Sequence, residues 1–257
     1  MFITKTAVKL AVPSPDVEGF SRFLFIGPHP DDIEIGAGAT AAKLAAAGKQ
    51  VCFLICTDGR YGDGFLPAGT PPEEVIRIRR QEAVDSAHML GVDDIRFLEL
   101  SDGGFYSFEE LEAGIAAVVG DFKPDIIFCP DPDVANECHR DHLNVGRAAK
   151  HMAYLAPYSG IMEKYGAAAA QVKAIAFYMT ASPNRFVKTG KYYHLQLDSV
   201  FRCHLSQFPE GSAEKSSLQL YLGLRAREAG LINFCSAAEG FRVLGQTHMH
   251  CLPEAGL

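Results

Sequence analysis

Apolar residues fall along this chain in short, nearly unbroken runs, each stopped by glycine or proline and followed by a longer segment of mixed polarity. Phe23 to Ile26 is such a run, aromatic-rich and ending at Gly27 and Pro28, and it reads as a buried strand. The alanine-rich segment opened by Gly36-Ala37-Gly38-Ala39-Thr40 and closed at Gly48 reads as the helix that follows. Gln50 to Thr57 is a second continuous apolar strand, with a polar loop from Asp58 to Gly64. The next helix spans Pro71 to Leu90, where prolines and acids in the first turn suit a helix N-terminus and Gly91 ends the segment. Ile95 to Leu98 (strand), Phe108 to Val119 (helix), Asp125 to Cys129 (strand) and Leu143 to Leu155 (helix) continue the alternation.

Continuous apolar strands separated by helices predict an α/β fold: a Rossmann-like, three-layer arrangement with a mostly parallel sheet and helices on both faces. Beyond residue 160 the pattern loosens. Ala174 to Met179 and Tyr192 to Leu197 are expected as strands, Ser199 to Phe208 and Glu214 to Ala229 as helices, and Phe234 to Leu244 as a loop with a final strand. No linker demands a domain break, so residues 1–257 are read as one domain. It comprises a leader segment 1–21, a Rossmann-like core 22–155 carrying the reactive loops, and a substrate-side portion 156–257. In the leader, Phe2, Val8, Leu10 and Val12 suggest an edge strand or packing on a neighbouring subunit.

Composition narrows the function classes. Hydrophobic residues make up 48% of the chain and charged residues 21%, ordinary globular usage. A net charge of -7 supplies no footprint for nucleic acid, and no apolar run approaches the ~20 residues of a membrane span. Pro13, Pro15 and Asp16 stand where a signal peptide would place its apolar core. Seven cysteines form no CxxC pair and several lie in apolar runs, which predicts buried reduced thiols in a cytoplasmic protein.

The candidate chemistry sits where strands end. The first strand delivers His29-Pro30-Asp31-Asp32 to its tip, and the fourth runs into a charged loop containing Glu137-Cys138-His139-Arg140-Asp141-His142. In a Rossmann order the first and fourth strands are neighbours, so both loops border one crevice at the carboxyl edge of the sheet. Two histidines and a carboxylate on those loops make a reasonable zinc set with one position left for water. Paired aspartates allow one to face a metal and the other a water, and His-x-Asp-His offers a further ligand with an acid-base histidine. Taken singly, each loop is also compatible with helix capping. Arg77, Arg79 and Arg80 suit a mostly solvated helix face, and His248 and His250 an outward-facing tail. Gly36-x-Gly38 is no complete dinucleotide fingerprint, and we read it as a tight turn under the metal loop.

Gly27-Pro28-His29-Pro30-Asp31-Asp32 followed by Ile33-Glu34-Ile35-Gly36-Ala37-Gly38 resembles the hallmark motif of the LmbE/PIG-L-like zinc-dependent de-N-acetylases, and Glu137 to His142 resembles that family's His-x-Asp-His motif. Thr57-Asp58-Gly59, Arg79 with Glu82, Leu90-Gly91, Ser206-Gln207-Phe208 and Ala238-Glu239-Gly240-Phe241 follow in the family's order, so the resemblance covers residues 22–245. The pattern is similar to the branch containing the deacetylase of bacillithiol biosynthesis. The resemblance implies one zinc ion per chain held by His29, Asp32 and His142, with Asp31 as general base. It further implies His139 as the group that polarises the carbonyl or protonates the leaving amine, Asp141 as holder of the His139 ring, and Arg79 as a substrate or carboxylate partner. The implied activity is removal of an N-acetyl group from a small amino sugar or N-acetylglucosamine conjugate, by a homo-oligomer. Two departures stand out: Ile33 intervenes before Glu34, and Arg140 occupies a position where proline is frequent. A catalytically silent sugar- or metabolite-binding member of the same fold is the alternative from another class.

Overall fold

The computed structural model describes residues 2–250 and 252. Its chain opens with helix α1 (Phe2–Ala11) and then enters strand β1 (Arg22–Gly27), helix α2 (Asp32–Ala46), β2 (Gln50–Thr57) and α3 (Pro72–Met89). β3 (Asp94–Leu100), α4 (Phe108–Phe122), β4 (Ile126–Pro130) and α5 (Arg140–Leu155) complete the regular alternation. The short helix α6 (Ser159–Met162), β5 (Ala174–Tyr178), β6 (Arg185–Lys188), α7 (Tyr192–Asp198), α8 (Ala213–Ile232) and β7 (Ala238–Gly245) follow.

Among the described residues, seven strands form one sheet in the order β3-β2-β1-β4-β5-β7-β6. The first five in that order are mutually parallel, and β7 runs antiparallel to both β5 and β6. The strands of residues 156–257 thus extend the sheet begun by residues 22–155. Alternation along each strand makes the layers. Leu24, Ile26, Cys52, Leu54, Ile127 and Phe177 face the side covered by α4 and α5. Phe23, Phe25, Phe53, Phe128 and Tyr178 face the side covered by α2 and α3. Phe128 stacks on Phe25 at 4.3 Å between centroids and meets Phe241 edge-on at 5.1 Å, which ties β4, β1 and β7 together.

The α2 glycines do not make the turn expected of them. Helix α2 begins at Asp32, ahead of both, and a Cβ at Gly36 would lie 2.2 Å from the Tyr178 ring, so the glycine permits helix and sheet to touch. The helix also breaks at Ala37, whose φ is -153°.

Four other expectations are corrected. Tyr192 to Leu197 is helix α7, not a strand: its apolar-polar alternation suits a strand locally, but in the fold Gln196 is buried against α2 while Leu195 is exposed. The expected helix over Ser199 to Phe208 is confined to a π turn, Ser199–Cys203, and β6 was not anticipated because it is four residues long. Residues 2–11 of the leader are helical rather than an edge strand, and the stretch behind them docks on the chain's own end: His248 Nε2 donates to the Val12 carbonyl at 2.8 Å. His248 is therefore buried, not outward-facing. Of the cysteines, Cys52, Cys56 and Cys129 are buried as free thiols, Cys138 is exposed, and Cys251 lies outside the described residues.

Candidate metal centre

Strands β1 and β4 pair directly, so the loops that follow them meet at the carboxyl edge of the sheet. Burial of β1 carries the polar loop inward: His29, Asp31 and Asp32 are each less than a tenth exposed, and Asp141 is fully buried at the start of α5. Ring nitrogens of His29, His139 and His142 all lie within 4.8 Å of one another. Asp32 links two of these rings, with Oδ2 3.0 Å from His29 Nδ1 and Oδ1 3.3 Å from His142 Nε2. A second donor set with the same spacing comprises His29, Asp102, His139 and Asp141. All three expected ligands and the expected acid-base histidine therefore share one cluster.

The electrostatics favour a cation. Burial opposes charge on His29, but Asp102, Asp141 and Asp32 outweigh it and push its pKa up to about 12. A ring caged by three carboxylates holds its proton where a positive charge is wanted. Burial likewise opposes ionisation of Asp32, yet His142 and His29 hold its carboxyl well below the ordinary range. Two or three imidazoles with a carboxylate form the borderline nitrogen and oxygen donor set that suits zinc, so the residues fit the implied metal.

Each histidine is oriented. The Glu137 carboxylate receives His142 Nδ1 at 3.0 Å and the His139 backbone N–H at 2.7 Å, which turns His142 Nε2 toward Asp32. The Asp141 backbone N–H donates to His139 Nδ1 at 3.3 Å, so the neutral His139 ring carries its proton on Nε2. Burial, with His29 and His142 beside it, lowers the pKa of His139 and keeps the ring neutral. The Asp141 carboxylate faces elsewhere: it accepts from Gly103 N and Tyr106 Oη, each at 2.8 Å, lies 3.2 Å from His29 Nε2, and comes only to 3.8 Å from His139 Nδ1.

Asp31 stands beside the donors in a different setting. Its backbone adopts φ 128° and ψ -27°, a strained conformation for a residue with a Cβ, costing on the order of 1–3 kcal/mol. Burial raises its pKa to about 6, with Arg79 opposing and Asp32 adding to the shift. Arg79 is only 4% exposed, whereas Arg77 and Arg80 on the same helix are solvated. Its Nη2 donates to the Pro30 carbonyl at 2.9 Å and to Asp31 Oδ2 at 3.2 Å, and its Nη1 to the Gly59 carbonyl at 3.0 Å. Arg79 thereby ties the Asp31 carboxylate to the backbone of the loops that follow β1 and β2.

Asp102, Tyr106 and His204 were missed from sequence, and Glu137 was assigned no role. Asp102 had a weak signal, since Ser101-Asp102-Gly103 follows β3 at the same sheet edge as Thr57-Asp58-Gly59 follows β2. Separately, a cavity of about 300 Å³ lies between α2, α7 and α8. In its lining, Gln196 is engaged with α2 carbonyls, Glu239 with α2 amides, and Arg225 with Tyr221 and Thr180.

Fold and site define an α/β protein with a mostly parallel sheet and, at the switch point of that sheet, a histidine- and carboxylate-rich candidate cation site with a buried carboxylate beside it. Residues 24–153 match the PIG-L family, described as GlcNAc-PI de-N-acetylase, and this chain belongs to that family. It is 33% identical to diacetylchitobiose deacetylase of Thermococcus kodakarensis over 98% of this chain and 93% of the relative. It is 31% identical to a 1D-myo-inositol 2-acetamido-2-deoxy-alpha-D-glucopyranoside deacetylase of Kineococcus radiotolerans, across 65% of this chain and 54% of that one. The structure of N,N'-diacetylchitobiose deacetylase from Pyrococcus horikoshii superposes with a TM-score of 0.84 at 28% identity, covering 98% of this chain and 96% of the other. No helix among the described residues is long and apolar enough to cross a membrane.

Proposed function

We propose that this chain is a zinc-dependent amide hydrolase that removes the N-acetyl group from an amino sugar or N-acetylglucosamine conjugate. The observation that carries the reading is the meeting of three imidazoles and Asp32 with a strained, buried Asp31 at one crevice. Kinship with deacetylases of acetylated amino sugars supports the substrate class. His29, Asp32 and His142 hold one zinc ion per chain. When bound, that ion supplies Lewis acidity, lowering the pKa of water and drawing charge from the amide oxygen.

Asp31, with a carboxyl near pKa 6, is basic enough to take a proton from the attacking water and acidic enough to surrender it. Arg79 keeps that carboxyl from rising further and offers positive charge to a carboxylate product. His139, neutral and protonated on Nε2, polarises the substrate carbonyl by hydrogen bonding, with the backbone of Asp141 fixing its tautomer, and Asp31 passes the proton taken from water to the departing amine. The Asp141 carboxylate braces His29.

The protein works as a single domain in the cytoplasm and assembles as a homo-oligomer. The exposed Leu220, Leu224, Leu231, Ile232 and Phe234 on and after α8 support an assembly, and sedimentation of the purified protein at the monomer mass would exclude it.

The test is metal content together with amine release from N,N'-diacetylchitobiose and related N-acetylglucosamine conjugates. Asp31→Ala is expected to abolish release while keeping zinc, and His142→Ala to lose zinc. Full activity in Asp31→Ala would refute the base assignment. Zinc with no release from any conjugate would favour a binding module instead.

A further inference from the structure

Asp31 stays in its strained backbone conformation only if the chain on both sides is held. On the N-terminal side Arg79 grips the Pro30 carbonyl. On the C-terminal side the first turns of α2 are held by side chains from the last third of the chain. Gln196 Nε2 donates to the Glu34 and Ile35 carbonyls at 2.9 and 3.2 Å. Glu239 accepts the Thr40 and Ala39 amides at 2.7 and 3.3 Å, just after the break at Ala37.

The most deeply set of these contacts involves His204. The π turn Ser199–Cys203 ends at this residue, and its ring is fully buried with Nε2 3.3 Å from Glu34 Oε1. Glu34 is also buried and receives Ser86 Oγ on the same oxygen. His204 Nδ1 has no partner among the described residues. A fully enclosed imidazole with one nitrogen unsatisfied is a poor choice for packing alone, since an apolar side chain of similar size would avoid the penalty. Among the described residues its ring hydrogen-bonds the α2 residue that lies three positions after Asp31, on the turn Asp31 initiates.

We infer that His204 is a positioning residue, which through Glu34 locks the first turn of α2 and thereby holds Asp31 at the angle the reaction needs. The inference rests on the assignment of Asp31 as general base. It assigns the Ser206-Gln207-Phe208 region a task as well: Ser206 N and Oγ both bond Glu82 on α3, at 2.8 and 2.6 Å, which fixes the segment presenting His204.

The test compares Glu34→Gln, which keeps an acceptor for His204 and Ser86, with the paired replacement Glu34→Val and His204→Leu, which refills the space without polar groups. The paired variant is expected to keep zinc content and KM, to lose about tenfold or more in kcat, and to exchange the backbone amides of residues 31–36 about tenfold faster. Glu34→Gln should restore both readouts to within about threefold of the parent. Parental kcat and parental exchange in the paired variant would overturn the inference and leave the pair a packing feature. Should the paired variant fail to fold, the single replacement His204→Leu, which leaves Glu34 bonded to Ser86, is judged by the same two readouts. Amide exchange requires no turnover, so a parent protein lacking deacetylase activity would refute the proposed function while exchange still decides the clamp.

Discussion

Glu137→Gln tests the logic of the metal centre most directly. The Glu137 carboxylate divides its two oxygens, Oε1 accepting the His139 backbone N–H at 2.7 Å and Oε2 facing His142 Nδ1 at 3.0 Å. Glutamine has one oxygen. Retaining the loop contact leaves its NH2 group facing His142 Nδ1, which then must accept, and the ring's proton moves to Nε2, the nitrogen directed at Asp32. Metal binding at Nε2 must displace that proton. Loss of a carboxylate that orients a ligating histidine typically costs 10–100-fold in metal affinity, or about 1.4–2.7 kcal/mol. The assay is a competition titration of metal-free protein against a chromophoric chelator, for parent, Glu137→Gln and Glu137→Asp. The expected order is parent tightest, Asp intermediate, Gln weakest, with the helical circular dichroism unchanged. Affinity of Glu137→Gln within about threefold of the parent would refute the tautomer argument, because it would mean that His142 is not a ligand through Nε2 or that its orientation owes nothing to Glu137.

Further outcomes follow from particular contacts. The Asp31 carboxyl has a folded pKa of about 6, raised from 3.8, so between those values the native state keeps a proton that the unfolded chain has released. Stability therefore falls as pH rises through that window, and Asp31→Asn should stabilise the metal-free protein by about 3 kcal/mol at pH 7, with the gain vanishing by about pH 4, as urea titrations at the two pH values would reveal. Gly36→Ala would drive a Cβ against the Tyr178 ring and strain the 2.8 Å bond from Tyr178 Oη to the Ile26 carbonyl, at an expected cost of about 1–3 kcal/mol in thermal or chemical unfolding. Phe128→Ala removes a fully buried ring in contact with Phe25 and Phe241, and about 3–5 kcal/mol should be lost in the same measurement.

How the chain divides into strands and helices up to residue 155 was legible in the order of its residues, because buried parallel strands need continuous apolar runs and each helix carries its own stop signals. The juxtaposition of His29, Asp31 and Asp32 with His139 and His142 was legible too, since it requires only that the first and fourth strands pair, as they do. Beyond residue 160 local periodicity misled: Tyr192 to Leu197 alternates like a strand, yet its buried member is polar Gln196, whose amide is satisfied by carbonyls of α2, remote in sequence. Three features belong to the tertiary structure alone. Asp102 reaches His29 because β3, β2 and β1 lie side by side, and its place after β3 puts it at the right sheet edge without fixing that distance. Arg79 differs from Arg77 and Arg80 only in the direction in which its helix turns it. His204 meets Glu34 across 170 residues, and such a contact exists only once the sheet and both of its layers are assembled. Chain order thus determined which chemical groups stand at the strand ends, through local hydrophobic periodicity. Packing decided their partners, charges and backbone strain, because those depend on burial and on neighbours remote in sequence.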